Sequence, residues 1–470
     1  MLIASDNWQR SICFSEKFSR SIIITEHFRA LDQCYLDPGM ASMLVTFLYI
    51  IWCSGLNPEV LAAEGNGANG VNGGAELPRT KGQNDDTITE GDIVVSKRKA
   101  DKLFENADTS GERRKRQAAI GRDQYGKWTE GVNYVFSPDA GDGLKRCFRK
   151  AAEAWERDTC INFKELKEGA GDYLYVFDDG DYYSHVGKFG GRQNISLDSD
   201  CRFVIGRAIH EIGHALGLYH TDSRYDRDSY VTVAEDYLKN YTNEFRIIPK
   251  NESETYGTGY DYGSIMHLSY PIVVPTDEKY ARTLGSYMLS FTDLLSINKH
   301  YGCLDKCDKG EFVKCENGGF PHPRKCNKKC ICPSGYGGSK CKARPGANVC
   351  GEILMAKAEP KLLALTIKNN RTIYDYANCT YWIKSPKDTV IEIEIDGMPF
   401  EFKAPGCVKA GVEIKTNENQ TLTGYRFCAP EDKRIKLRSH SNFVPIIVYN
   451  NRGYLFAMEL KYRYVRKNSY

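Results

Sequence analysis

Apolar positions fall into three textures along the chain. In the first, Leu144, Cys147, Phe148, Ala151, Ala152 and Trp155 recur at helical spacing, which predicts an amphipathic helix over residues ~142–156 packed on a sheet. Tyr173 to Phe177 and Asn194 to Leu197 read as strands, bounded by Gly180 and by Gly190-Gly191. Phe203 to Leu216 reads as a second helix. The second texture begins after Cys303: six cysteines, Cys307, Cys315, Cys326, Cys330, Cys332 and Cys341, stand among glycines in a segment too small for an apolar core. From Cys350 a period of two sets in. Ile391, Ile393 and Ile395 alternate with Glu392, Glu394 and Asp396, and an apolar run from Tyr454 to Leu460 follows, which predicts a β-sandwich with Cys350, Cys379, Cys407 and Cys428 as two bridges.

Upstream of these, Glu64 to Lys99 is rich in Gly, Asn, Asp, Thr and charge and cannot bury a core, so it reads as a propeptide or linker. The polar stretch closes on Arg113-Arg114-Lys115-Arg116, a processing site for a furin-like protease with cleavage after Arg116; a solvated charge run is the bland alternative. Met43 to Cys53 is apolar, short for a membrane span, and followed by small residues, as in a signal peptide. Its position behind 39 polar residues suggests a start at Met40 or Met43. At 470 residues the chain implies about two to four domains. Its 64 basic and 61 acidic residues leave a net charge of +3, which offers no field for nucleic acid. Seventeen cysteines imply an oxidising, extracellular location.

The chemistry is concentrated in His210-Glu211-Ile-Gly-His214-Ala-Leu-Gly217-Leu-Tyr-His220, followed by Ser264-Ile-Met266-His267. On a helix His210 and His214 share a face and can meet one Zn²⁺, with Glu211 beside the open fourth position. Gly217 ends the helix and turns the chain so that His220 supplies a third nitrogen. The short pattern alone occurs in buried helices by chance; with Gly217, His220 and the methionine segment it is specific. Zinc on these three histidines would activate a water, with Glu211 as the general base, for endoproteolysis of extracellular proteins.

With these residues in view, the chain resembles the astacin family of metzincin-type zinc peptidases, in the arrangement of secreted nematode members that carry EGF-like and CUB modules. Further landmarks are Asp158-Thr-Cys160-Ile-Asn-Phe163, Ser184-His-Val-Gly187, Gly190-Gly-Arg-Gln193, Arg224-Tyr-Asp-Arg-Asp228 and Tyr260-Asp-Tyr-Gly-Ser-Ile-Met266. The resemblance implies an α+β catalytic domain, with a mixed twisted sheet, helices and zinc in a cleft, then a disulfide-rich EGF-like module and an all-β CUB sandwich. The implied boundaries are an extension (1–39), signal peptide (40–63), propeptide (64–116), peptidase (117–303), EGF-like module (304–342) and CUB domain (350–465). It also implies Met266 in a turn beneath the metal and an extended substrate added to the sheet edge near Gly190–Leu197. Thr89-Glu90-Gly91-Asp92 is similar to the family's propeptide motif, in which the aspartate holds the zinc's open position in the zymogen.

The chain also departs from the family pattern. Thr221 stands where a glutamate follows the third histidine, which bears on how a new N-terminus at Gln117 would be held. Leu268 stands where a tyrosine would contact the transition state, so low turnover is expected unless Tyr270 substitutes. This leucine is the support for a competing reading, a catalytically impaired protein that holds matrix partners through its EGF and CUB modules. Ala410 replaces an aspartate of calcium-binding CUB domains, so no calcium is expected.

The family implies the pairs Cys160–Cys303, Cys307–Cys326, Cys315–Cys330, Cys332–Cys341, Cys350–Cys379 and Cys407–Cys428. Cys13, Cys34 and Cys53 fall in the extension or signal. Cys147 and Cys201 remain, either bridged or as two buried thiols. Glycosylation sequons stand at Asn194, Asn240, Asn251, Asn370, Asn378 and Asn419.

Overall fold

The first apolar stripe forms helix α1. In a computed structural model the helix runs Asp142–Asp158 and buries Leu144, Cys147, Phe148, Ala151, Ala152 and Trp155, with Asp142 in its first turn and Arg157 in its last, charges that suit the helix dipole. The structure describes residues 87–96, 126–198, 205–240, 245–250, 253–307, 312–370 and 375–467, all within the unit Asn72–Tyr470. The signal run, Arg116, Gln117 and Cys201 lie outside them.

In chain order the N-terminal elements are β1 (Thr87–Glu90), β2 (Ile93–Ser96), β3 (Val132–Phe136), α1, β4 (Phe163–Glu165), β5 (Tyr173–Phe177), β6 (Tyr183–Ser184), β7 (Arg192–Ser196) and α2 (Ile205–Ala215). They are followed by β8 (Val231–Val233), α3 (Glu235–Asn240), β9 (Val273–Pro275) and α4 (Phe291–His300). The sheet order is β1-β2-β6-β7-β5-β3-β4. Leu174 and Val176 of β5 and Ile195 of β7 point from the sheet into one core with α1 and α2. Two indole N–H groups lock the helices in place: Trp155 donates to the Ile209 carbonyl and Trp128 to that of Ala215, both at 2.9 Å.

The sheet edge is not where the sequence placed it. Arg192–Ser196 pairs with β5 along its length, and β6 covers its far side at Ile195 and Ser196. Outside β6 lies the β1–β2 hairpin, with Ile93 paired in parallel with Ser184. A strand as short as Tyr183–Ser184 has no periodicity to announce it, so the strand next to it read as the edge.

The second and third textures also fold as units. Cys307–Cys326, Cys315–Cys330 and Cys332–Cys341 staple a small module around the hairpin β10 (Phe320–Pro321) and β11 (Cys330–Ile331), and Cys160–Cys303 ties the end of α1 to the end of α4. The C-terminal strands are β12 (Ile353–Met355), β13 (Lys361–Lys368), β14 (Ala377–Lys384), β15 (Thr389–Gly397), β16 (Ala410–Ile414), β17 (Tyr425–Phe427), β18 (Lys436–Arg438), β19 (Phe443–Asn450) and β20 (Leu455–Arg466). They form a five-stranded sheet, β12-β14-β19-β16-β17, and a four-stranded sheet, β13-β20-β15-β18. Ile391, Ile393 and Ile395 are buried between them, while Glu392, Glu394 and Asp396 face out to Arg463, Lys436 and Lys461. Cys350–Cys379 and Cys407–Cys428 complete the sandwich.

The three parts meet at a buried polar junction. Arg426 of β17 pairs with Glu413 of β16 at 3.2 Å, and its Nη1 donates to Ser286 Oγ of the N-terminal half at 2.6 Å. Lys415 Nζ donates to Ser334 Oγ of the stapled module at 3.0 Å, and Ser334 donates to Glu413 at 2.6 Å. Burial pushes the Glu413 carboxyl up, and the Arg426 and Lys415 cations more than offset this. Arg426→Ala is expected to cost about 3–5 kcal/mol in urea unfolding, because it leaves the buried Glu413 carboxylate with Lys415 as its one remaining cation, whereas the triple replacement Glu413→Leu/Lys415→Met/Arg426→Met recovers most of that loss. A single-variant cost near zero would mean that Glu413 finds water instead.

Candidate active site

Helix α2 sets His210 and His214 one turn apart, with ring centroids 4.6 Å from each other. The helix stops at Gly217, whose φ of 110° is open to glycine, and its N–H closes on the His214 carbonyl at 2.7 Å. That reversal brings the His220 ring to 4.8 Å from His214 and 5.3 Å from His210. Two rings are aimed from behind: His210 Nδ1–H donates to the Ile265 carbonyl and His214 Nδ1–H to the Leu218 carbonyl, each at 2.7 Å. Their Nε2 lone pairs are thereby directed at a common point.

The fourth group comes from the β1–β2 hairpin. Gly91, at φ 64°, forms the turn of the β1–β2 hairpin and leaves Asp92 at its tip. The Asp92 carboxylate lies 2.9 Å from His220 Nε2, 3.1 Å from His210 Nε2 and 3.5 Å from His214 Nε2. The four ligand atoms fall within 4.8 Å of one another. His210 Nε2 and His220 Nε2 stand 3.3 Å apart. That is about the edge of a tetrahedron with metal–nitrogen bonds of about 2.0–2.1 Å. His214 Nε2 is buried and makes no hydrogen bond, and neither do Asp92 Oδ1 and Glu211 Oε2. Buried polar atoms without partners are costly, and a zinc ion held by the three imidazoles accounts for the first two. Three neutral nitrogens and one carboxylate are a donor set that zinc accepts.

The electrostatics are those of a closed pocket. Burial pushes His214 down to about 4, leaving a neutral imidazole. Burial raises the Asp92 carboxyl, but His220 and then His210 outweigh this and hold it well below its ordinary value. Glu211 is 1% exposed; burial raises its carboxyl well above the usual range, Asp92 adds to this and Arg207 opposes it.

Met266 is buried, its Sδ close against Gly213 of α2, and its carbonyl accepts from the Thr221 N–H at 2.8 Å. Thr221 Oγ1 donates to Ser264 Oγ at 2.9 Å, so the short residue in the glutamate's place is bonded into the methionine turn. Leu268 is 6% exposed and packs with Val231, Tyr260 and Leu284, whereas Tyr270 is 47% exposed. A tyrosine introduced at 268 would have to fit into this packed cluster. The larger ring would overfill the cluster, at a cost of about 1–3 kcal/mol, unless it swung out.

Asp293 was missed in the sequence. Its carboxylate accepts from Ser264 Oγ at 2.6 Å and from the Ile265 N–H at 2.9 Å, and it forms the capping box of α4 with Ser290. The Ser290-Phe-Thr-Asp293 spacing is a capping-box signal and could have found it. Cys147 is fully buried and disulfide-bonded. Among the sequons, Asn370, Asn378 and Asn419 are exposed. Asn194 is part-buried within β7, and Ser196 of its sequon is completely buried. Asn240 ends α3, and Asn251 lies outside the described residues.

Residues 121–302 match the family model described as Astacin, a peptidase family. Zinc metalloproteinase nas-31 of Caenorhabditis elegans is 36% identical over 398 residues, covering 81% of this chain and 64% of its own length. Zinc metalloproteinase nas-29 of the same nematode is 33% identical over 393 residues, 79% of this chain and 71% of its own. The chain thus spans somewhat less than two thirds of nas-31 and somewhat more of nas-29. Among solved structures, High choriolytic enzyme 1, a hatching enzyme zinc-protease from the medaka Oryzias latipes, aligns over 36% of this chain and 88% of its own, with 28% identity and a TM-score of 0.32. With a third of positions shared with nas-29 over most of both proteins, the chain belongs to the astacin family of zinc metallopeptidases.

Proposed function

We propose that the processed chain is a zinc-dependent metalloendopeptidase, exported as a zymogen, that hydrolyses peptide bonds of extracellular proteins such as those of cuticle, eggshell or matrix. The observation that carries this is the convergence of the three imidazole Nε2 atoms on the Asp92 carboxylate. His210, His214 and His220 would hold the zinc, with Asp92 as a fourth ligand in the precursor only. Bound there, zinc supplies Lewis acidity to the attacking water and the scissile carbonyl. Glu211, whose buried Oε2 lacks a hydrogen-bond partner, takes the proton of the water and returns it to the leaving amine. An extended substrate pairs with β6, on the edge that the prosegment now covers: the Ser184 N–H donates to the Asp92 carbonyl at 2.9 Å, and His185 Nδ1–H to the Val94 carbonyl at 2.8 Å.

A furin-like protease cutting after Arg116 would release the enzyme. The stapled module is read as EGF-like and the sandwich as a CUB domain, both holding matrix partners. Six disulfides with both ends among the described residues, and a further one at Cys147, support export to an oxidising compartment, and no helix among those residues is long and apolar enough to cross a membrane. The test is metal removal. Cleavage of a fluorogenic peptide by the processed chain is expected to vanish with a zinc chelator and to return with stoichiometric zinc. Cleavage that persists in chelator would sink the reading.

A further inference from the structure

Asp261 is 3% exposed and stands where the N-terminal half meets the sandwich. Its Oδ1 accepts from the backbone N–H of Gly263 and from that of Thr423, in the loop between β16 and β17, each at 3.1 Å. Its Oδ2 accepts from the Thr292 hydroxyl at 2.6 Å, and that hydroxyl lies 2.8 Å from Ser290 Oγ. The Ser290 N–H donates to Asp293 Oδ2 at 2.9 Å. Asp293 holds Ser264 and the Ile265 N–H, and the Ile265 carbonyl orients His210. An unbroken set of hydrogen bonds, all buried except the part-buried last one to His210, therefore runs from a sandwich loop to a zinc ligand. Such chains hold one geometry only while every member is satisfied.

We propose that the β16–β17 loop, through the Thr423 N–H on Asp261, positions the methionine turn and with it His210. The sandwich is then part of the support of the metal centre and not only a tether for partners. Thr423 and Asp261 are positioning residues; neither touches the zinc or the substrate. The inference rests on the reading of His210 as a zinc ligand.

Gly263 offers a wedge against this contact. A Cβ built there would lie 2.3 Å from Thr423 Cγ2 and 2.5 Å from both Thr423 Cβ and Oγ1, and these are its three nearest atoms. Gly263→Ala therefore pushes the loop off Asp261, and Thr423→Gly removes all three clashing atoms. Zinc affinity is measured on the full processed chain by competition with a chelator, beside kcat and KM on a fluorogenic peptide. Gly263→Ala is expected to weaken zinc binding about tenfold, the lower end of the loss seen when a group orienting a metal ligand is removed, and to lower kcat with KM nearly constant. The double variant Gly263→Ala/Thr423→Gly is expected to return to within about twofold of Thr423→Gly alone. An unchanged zinc affinity in folded Gly263→Ala, or a loss that Thr423→Gly does not restore, would overturn the proposal.

If Gly263→Ala fails to fold, Asp261→Ala makes the same measurement from the other side. Alanine takes away the acceptor of both the Thr423 N–H and the Thr292 hydroxyl, so weaker zinc binding is again expected, and unchanged affinity again overturns the proposal. A wild-type chain that binds zinc but cleaves nothing would refute the peptidase reading, and the affinity cycle would still decide the positioning role.

Discussion

Glu211→Gln is expected to lower kcat by about two to four orders of magnitude, the span of a lost general base, while zinc content and KM stay close to wild type. The reason lies in the separation of roles in the pocket. Zinc would be held by the nitrogens of His210, His214 and His220, none of which the change touches. The amide has the shape of the carboxylate but cannot take a proton from water. Glu211 is buried, and in the processed enzyme, without Asp92, burial still disfavours its charged form, which the amide does away with. The neutral amide is therefore expected to melt at the same temperature or higher. Activity near wild type would remove Glu211 from the mechanism; loss of zinc together with activity would show a fault in the site and not in the base. Measuring zinc content beside kcat separates the two.

The parts of this site that show in the sequence are those built by local spacing. His210, Glu211 and His214 sit on one helix turn, Gly217 and His220 follow within a few residues, and Glu90-Gly91-Asp92 is a hairpin tip with its functional residue at the turn. Residue types at short range carry the geometry in each case. The alternation around Ile391, Ile393 and Ile395 is legible for the same reason, since a period of two needs no partner to be recognised.

What stayed hidden depends on long-range packing. The order β6-β7 hides behind the two-residue Tyr183–Ser184. Leu268 read as a missing oxyanion donor because its position in a family motif was visible, whereas its packing against Val231 and Leu284 was not. The buried Lys415 reads in sequence as one more surface lysine, although burial pushes its ammonium down to about 8. The contact between Asp261 and Thr423 spans 162 residues and uses a backbone donor, which any residue but proline supplies, so no residue type could have marked it.

The other large effect concerns latency. The wild-type precursor, uncut at Arg116, is expected to be inactive, and Asp92→Ala in that same precursor is expected to raise its activity by at least about tenfold. The carboxylate is the part of the prosegment that faces the three imidazoles, and alanine leaves that coordination position to water or substrate. Recovery stays partial, because the backbone of Asp92 through Val94 still bonds to Ser184 and His185 and covers the strand edge a substrate needs. Cleavage after Arg116 would remove both blocks. The ranking expected for one peptide is therefore wild-type precursor, then Asp92→Ala precursor, then processed enzyme. Asp92→Asn tests the charge apart from the shape: a neutral amide oxygen is the weaker ligand, so its precursor belongs between wild type and Asp92→Ala. If Asp92→Ala stays as silent as the wild-type precursor while the processed chain is active, latency comes from the covered edge alone. The nearness of the carboxylate to the histidines would then be a consequence of the hairpin and not the lock.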